Sequence, residues 1–411
     1  MQALVDDVRA TRRVTPGAGF WIFAATLFAL MVAASAPSPL YVVYQHEWRF
    51  SAVVLTAVFA VYALALLATL LTVGALSDHV GRRPVLLAAL LLEAASMALF
   101  LTAGGVAQLL VARALQGVAT GAAMATISAG LVDLQPAHRP TLGSLLNGVA
   151  PTTGLAAGAV LSGLLVQYAP APTSLVFVVL LVTFALTLVA VLVLPESAQR
   201  SPGALGSLRP RVTVPPETRA PFLAAAPAFI SSWSVGGLYL ALGPSLAVGV
   251  LGISNHLVGG LVVATLNGAG AIAARVTIHR PPRRVMIGGS VWLGVGIALT
   301  LIALVAHSAV GFFAGTAVAG AGFGSSFLGG FRSLATVVTP HRRAELFSAV
   351  FVLSYLAFSL PAMLAGLAAV RYGLEPTTVG YGLVVILLVL AVPVLDRRSR
   401  VPAPERGAGG G

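Results

Sequence analysis

The sequence has 411 residues, 58% of them hydrophobic and 9% charged, with a mean hydropathy of +0.97; a soluble domain is about 45–50% apolar and about 25% charged, so water is not the main solvent of this chain. Its 24 basic residues, all Arg, outnumber 12 acids for a net charge of +12, but they sit in short segments between apolar runs instead of on one face, which argues against a nucleic-acid surface. The absence of Cys excludes disulfides, thiolate metal sites and Cys nucleophiles, and the seven His are scattered without metal-ligand spacing.

In chain order, apolar runs bounded by charges or by Pro and Gly predict spans at 18–44, 52–74, 84–103, 106–132, 142–166, 174–194, 221–249, 256–274, 285–306, 309–337, 345–370 and 378–395. A hydrocarbon core of ~30 Å needs about 20 helical residues, so each run is long enough to cross once, and 309–337 is long enough to tilt. Arg9, Arg12 and Arg13 ahead of a run ending Ala34-Ser35-Ala36 also fit a cleavable signal. Cleavage there would leave eleven spans and reverse one terminus relative to the Arg-rich loops, so the reading is a retained first span. Pro37 and Pro39 are expected to break that span, leaving Tyr41, Tyr44 and Trp48 as an interfacial belt.

Of the 24 Arg, 20 fall in one alternating set of segments, only Arg49 and Arg371 in the other, and Arg113 and Arg332 inside spans. This asymmetry predicts both termini in the cytoplasm of a multi-pass inner-membrane protein. The segment 195–220, with Pro195, Pro202, Pro210, Pro215 and Pro216, reads as a cytoplasmic linker without a core. It divides an N-terminal bundle of six spans (1–194) from a C-terminal one (221–395), with a tail at 396–411. The halves resemble each other at an offset of 203, where Gly117 meets Gly320, Gly121 meets Gly324, and His138-Arg139 meets His341-Arg342.

The loop after the second span, Gly74-Ala75-Leu76-Ser77-Asp78-His79-Val80-Gly81-Arg82-Arg83, resembles the G-x-L-x-D-r-x-G-R-[KR] signature of the major facilitator superfamily. Gly74 and Gly81 suit a tight turn and close backbone approach, while Asp78 suits capping a neighbouring helix N-terminus and pairing with Arg, which would latch the two halves together on the cytoplasmic side. In the second half His279 stands where Asp78 would align. The fourth span carries Arg113-Ala114-Leu115-Gln116-Gly117 and then Gly121, similar to the superfamily's R-x-x-q-G-x-x-x-G pattern of proton-coupled members. The fifth carries Ala150-Pro151-Thr152-Thr153-Gly154-Leu155, similar to the G-P-x-x-G-G motif of its drug:proton antiporters, with Ala150 and Leu155 replacing glycines.

The resemblance implies an all-α membrane fold of twelve helices, two six-helix bundles in a pseudo-twofold arrangement. It implies alternating access around a cavity where Tyr62, Gln116, Asn147, Pro151, Trp233, Asn267 and Tyr355 are candidate cargo contacts. The expected function is secondary transport of a small organic molecule, by proton-coupled efflux of a drug or secondary metabolite, with uptake of a small metabolite as the alternative and a transport-inactive sensor or scaffold as a reading of another class. Protons and membrane lipid are the other expected partners, and the protein is expected to be a monomer without a cofactor. No P-loop and no Ser/His/Asp or paired-carboxylate constellation within the spans points to ATP or to an enzyme.

Arg113 lies seven residues in from Val106, ~10 Å along the axis, and Glu93 is the one carboxylate in mid-span. In a hairpin centred on Gly104-Gly105, residues summing to about 209 lie level, which puts Glu93 level with Gln116 and within reach of Arg113. The expectation is a Glu93–Arg113 pair that carries or gates the proton, with Asp133 as the next candidate. On topology, a single Cys at Ser201 or Ser207 in this Cys-free chain is expected to react with an impermeant maleimide from the cytoplasmic side alone; periplasmic labelling would overturn the orientation.

Overall fold

The structure, a computed structural model, describes residues 16–139, 142–194, 196, 201–210, 212–339 and 342–398. The residues Arg9, Arg12, Arg13, Arg200, Arg211, Arg400, Arg406 and His341, used above for orientation and for the repeat, lie outside these. Twelve helices are long and apolar enough to span: Gly17–Trp48, Ala52–Val73, Arg82–Leu101, Val106–Asp133, Leu142–Tyr168, Leu175–Leu192, Pro216–Gly249, His256–Thr277, Pro282–Val305, Ala309–Val337, Glu345–Tyr372 and Leu374–Arg397. We refer to these as spans one to twelve. Several run past the apolar windows read from sequence, because a helix continues as long as its backbone bonds can close, and polar residues are tolerated where the helix leaves the hydrocarbon. Span one includes Gln45, His46 and Glu47 and stops where Arg49 turns left-handed at φ 50°.

Within lipid each backbone carbonyl must find a donor, and each proline denies one to the residue four positions earlier. Pro37 leaves the Ala33 carbonyl without its helical partner, and the Gln116 side chain of span four donates to it at 3.0 Å. Pro244 does the same to Leu240, whose carbonyl accepts from Ser38 Oγ of span one at 2.5 Å. Pro361 does so to Ala357, whose carbonyl accepts from Ser234 Oγ of span seven at 3.1 Å. In all three cases the break in one span fixes where another must dock.

The internal repeat is visible in the packing. A Cβ on Gly117 or Gly121 would run into the carbonyls of Tyr62 or Leu66 on span two, and one on Gly320 or Gly324 into those of Leu266 or Gly270 on span eight. The contact partners are therefore offset by 204 where the glycines are offset by 203. Small residues permit the backbones of spans two and four, and of spans eight and ten, to touch. Large apolar side chains such as Trp21, Leu91, Leu186 and Leu387 remain exposed on the outside, the surface that lipid covers.

Because the spans alternate in direction, the loop 74–81 and the linker share one end of the bundle, called here the loop end, and residues such as Trp48 and Ala52 mark the far end. Among the described residues, the hydrogen bonds, ring contacts and tight glycine approaches that join the halves belong to the far side of the membrane. Ser38 bonds Leu240, the His256 backbone N–H donates to Gln167 at 2.8 Å, and Phe59 packs on Phe358 with centroids 4.8 Å apart. Gly366 abuts Thr56, and Gly260 abuts Ala159. The conformation is closed at the far end.

The glycine contacts give a paired prediction. Gly320→Ala is expected to lower the melting temperature and the folded yield in detergent, a clash of more than about 1 kcal/mol. Gly268→Ala, where nothing lies within 4 Å of the added carbon, is expected to leave both unchanged. Equal melting curves for the two variants would show that the contact does not constrain the span eight–span ten approach.

Candidate coupling site and inner wall

Spans three and four form the expected hairpin register. Ser96 Oγ donates to the Ala112 carbonyl at 2.8 Å, and Gln116 Nε2 donates to Glu93 Oε1 at 3.2 Å. Glu93 is fully buried, pointing into the bundle with Leu91 facing outward, and Thr120 Oγ donates to its other oxygen at 3.4 Å. The direct Glu93–Arg113 pair expected from sequence is not formed. Gln116 stands between them, donating to Glu93 and to the Ala33 carbonyl while its Oε1 accepts from Arg113 Nη1 at 2.7 Å. The reason is the broken first span: the carbonyls of Ala33 and Ala34 draw both side chains, Arg113 Nη1 donating to Ala34 at 3.0 Å.

Arg113 is itself fully buried. Its Nε donates to the Tyr41 hydroxyl at 2.5 Å, and its Nη2 has no hydrogen-bond partner in the protein. The rings of Tyr41, Tyr62 and Phe100 lie 5.4, 5.1 and 5.8 Å from the guanidinium carbon. Aromatic faces and carbonyl dipoles thus take the place of a carboxylate around this cation. Tyr41 had no assigned part in the site: expected in an interfacial belt, it is 1% exposed and holds Arg113, while Tyr44 and Trp48 stack at 4.5 Å. The signal that could have found it is Pro37, since the span segment after a break is free to turn inward.

At the loop end, Arg82 binds Asp78 (Nη1–Oδ1 2.9 Å) and Asp133 (Nε–Oδ2 2.7 Å). Asp133 therefore belongs to the latch and not to the Glu93 network, from which it is separated by 13 residues of span four beyond Thr120, about 20 Å. The cap on a neighbouring helix N-terminus, expected of Asp78, is supplied by Glu196, which accepts from the backbone N–H groups of Arg82 at 2.8 Å and Arg83 at 3.1 Å. Gly81, at φ 103°, makes the approach possible, since a Cβ there would press on the Glu196 carboxylate. Gly74 and Arg83 flank this network, Arg83 donating to the Leu192 carbonyl. The latch expected to join the halves instead joins spans two, three, four and six of one half, because in this conformation the halves meet at the far side and no residue of the second half reaches Asp78 or Arg82 among the described contacts. The linker, read from sequence as lacking a core, makes a contact here: Ser201 Oγ and the Pro202 carbonyl lie 3.0 and 3.1 Å from His79 Nδ1. In the second half Arg283 Nε donates to Asp396 at 2.6 Å, the corresponding span-nine to span-twelve tie.

The seven candidate cargo contacts divide. Tyr62 and Gln116 are enclosed with Arg113. Asn147 and Pro151 are half-buried one turn apart on span five, with Asn147 Nδ2 donating to the Ser128 carbonyl at 3.1 Å. Asn267 is buried and bonds within its own helix. Trp233 and Tyr355 meet, ring centroids 4.8 Å apart. They belong to an aromatic series that sequence reading missed. It starts at the Phe59–Phe358 closure and reaches Tyr355, then branches through Trp233 to Phe327 (5.6 Å from Trp233) and through Phe351, and both branches meet at Phe331, which stacks on Phe347 at 4.3 Å. Phe347, Phe351, Tyr355, Phe358, Ala362 and Gly366 follow one stripe of span eleven at helical spacing, which is the signal that could have shown it. The stripe closes on span two at the far end, and its half-buried rings lie toward the loop end.

Residues 22–280, more than half of the chain, match the family model described as Major Facilitator Superfamily. The chain belongs to that superfamily. It is a multi-pass membrane protein with a transporter fold, and the superfamily's members are secondary transporters of small molecules. A solved structure described as a bacterial homologue of the human lysosomal transporter Spinster, in an inward-facing and unoccupied conformation, superposes with a TM-score of 0.73. That match has 13% identity and covers 96% of this chain and 99% of that one, so the likeness is one of fold. No curated protein sequence is significantly similar to this superfamily member.

The two carboxylates on Arg82 differ in exposure, 60% for the Asp78 side chain and 38% for Asp133, so the Asp133 pair is the less screened. Asp133→Asn is expected to lower thermal stability more than Asp78→Asn, which should fold as wild type and slow turnover. Equal melting temperatures for both variants, or a loss of cargo affinity with normal turnover in Asp78→Asn, would contradict the assignment.

Proposed function

We propose that this transporter exports a hydrophobic, predominantly aromatic small molecule in exchange for protons, with Glu93 as the proton carrier. The observation that carries the reading is the enclosed Glu93–Gln116–Arg113–Tyr41 network: a mid-span carboxyl whose neighbours are neutral, one amide away from a buried guanidinium. A carboxyl so placed is costly as an isolated anion, and an ionisable side chain within a span marks a functional site by default. The Arg113 and Pro151 motifs support antiport, and the Arg asymmetry supports a cytoplasmic loop end.

The cargo class follows from the inner wall of the second half. Trp233, Phe327, Phe331, Phe347 and Phe351 offer faces and edges for stacking, and the series itself carries no charged side chain, so a dication would find no counter-charge within it. Asp78→Asn and Asp133 variants act on the conformational latch and not on this wall. Uptake remains the alternative, since direction depends on gradients and coupling and not on fold.

In proteoliposomes with an imposed pH gradient and a panel of lipophilic aromatic compounds, Glu93→Gln is expected to reduce gradient-driven accumulation by at least about tenfold and leave counterflow exchange near wild type. Arg113→Ala is expected to abolish both. Accumulation by Glu93→Gln with unaltered pH dependence would remove Glu93 from coupling, and accumulation only along an inward cargo gradient would favour uptake.

A further inference from the structure

Span one is two helices, Pro16–Ser35 and Pro37–Trp48, and the second has two anchors on different partners. One is inside its own half, where Tyr41 accepts from Arg113 Nε at 2.5 Å. The other crosses the seam, where Ser38 Oγ donates to the Leu240 carbonyl. The anchors are three residues apart, about 4.5 Å along one short helix, so neither can shift far without the other. A proline-deprived carbonyl lies at each anchor, Ala33 beside the Arg113 network and Leu240 at the seam. Pro37 separates the segment from the rest of span one and leaves the carbonyl that Gln116 fills, and Pro244 leaves the Leu240 carbonyl with no donor in its own helix. When Ser38 withdraws, that carbonyl must be met by water, so undocking and hydration of the far end are one event.

We propose that Pro37–Trp48 is the gate of the far end, that Ser38 on the Leu240 carbonyl is its lock, and that Tyr41 is the positioning residue through which Arg113 holds the gate in place. The charged network and the seam are then joined by a single rigid segment of 12 residues. The assignment stands whether or not Glu93 carries a proton, because it concerns how the guanidinium is tied to the seam and not what titrates beside it.

The test uses the full-length protein in nanodiscs, spin-labelled through Glu47→Cys and Ser254→Cys, two exposed far-end positions on opposite halves in a chain with no other Cys. Double electron–electron resonance then reads the far-closed and far-open populations. Ser38→Ala is expected to raise the open-to-closed ratio about threefold, the effect of one average hydrogen bond between membrane helices. Ser38→Thr, which keeps the hydroxyl, should stay at wild type, and Pro244→Ala, which restores a helical donor to Leu240, should behave as Ser38→Ala does. Tyr41→Phe should give the same shift as Ser38→Ala, and the double variant no more than the larger single effect, because one gate cannot be released twice. An unchanged distribution in either Ser38→Ala or Tyr41→Phe overturns the proposal, as does a double variant whose ratio is the product of the two single effects. The Glu93→Gln transport assay reads a different variable, so failure here and failure of proton coupling are separable.

Discussion

A proline in a membrane span withholds one N–H, and lipid offers nothing in its place. This constraint organises the molecule more than any single contact does. The carbonyls of Ala33, Leu240 and Ala357 are each deprived by a proline four residues on, and each is met by a side chain from another span. One of these contacts builds the buried network of the first half, one packs the second half, and one joins the halves. At these three positions a break that weakens a helix locally helps specify tertiary structure, because a neighbouring span brings a donor to the orphaned oxygen.

The duplicated halves share packing and differ in chemistry. The glycines at 117, 121, 320 and 324 place equivalent spans in equivalent contact. At the same offset of 203, however, Glu93, Gln116 and Arg113 correspond to Gly296, Ala319 and Thr316. A Cβ on Gly296 would strike the Ala319 backbone, so spans nine and ten meet directly where spans three and four enclose polar side chains. Thr316 instead pairs with Tyr239 at 3.0 Å. One half is thus built around a buried guanidinium and carboxyl, and the other around an aromatic series.

The loop end shows how a short motif is completed by residues far along the chain. Arg82 and Arg83 lie in the signature, but the carboxylate on their backbone N–H groups comes from Glu196, and the closer, less exposed partner of the Arg82 guanidinium is Asp133. With the far end closed, this network holds spans two, three, four and six as one body.

The number of spans, the division into six and six, the repeat and the span three–span four register were all legible in the sequence. They depend on hydrophobic length, on charge between spans and on 1.5 Å per residue, which are properties of each segment alone. Glu93 level with Gln116 was legible too. What sequence could not decide was which partner each side chain takes: Tyr41 in the core instead of the belt, Asp133 on Arg82 instead of near Glu93, Gln116 interposed before Arg113. Those outcomes depend on the rotation and tilt of each helix about its axis and on which carbonyls the prolines leave open toward a neighbour. Rotation is set only when spans distant in sequence pack together, so the tertiary structure alone decided it.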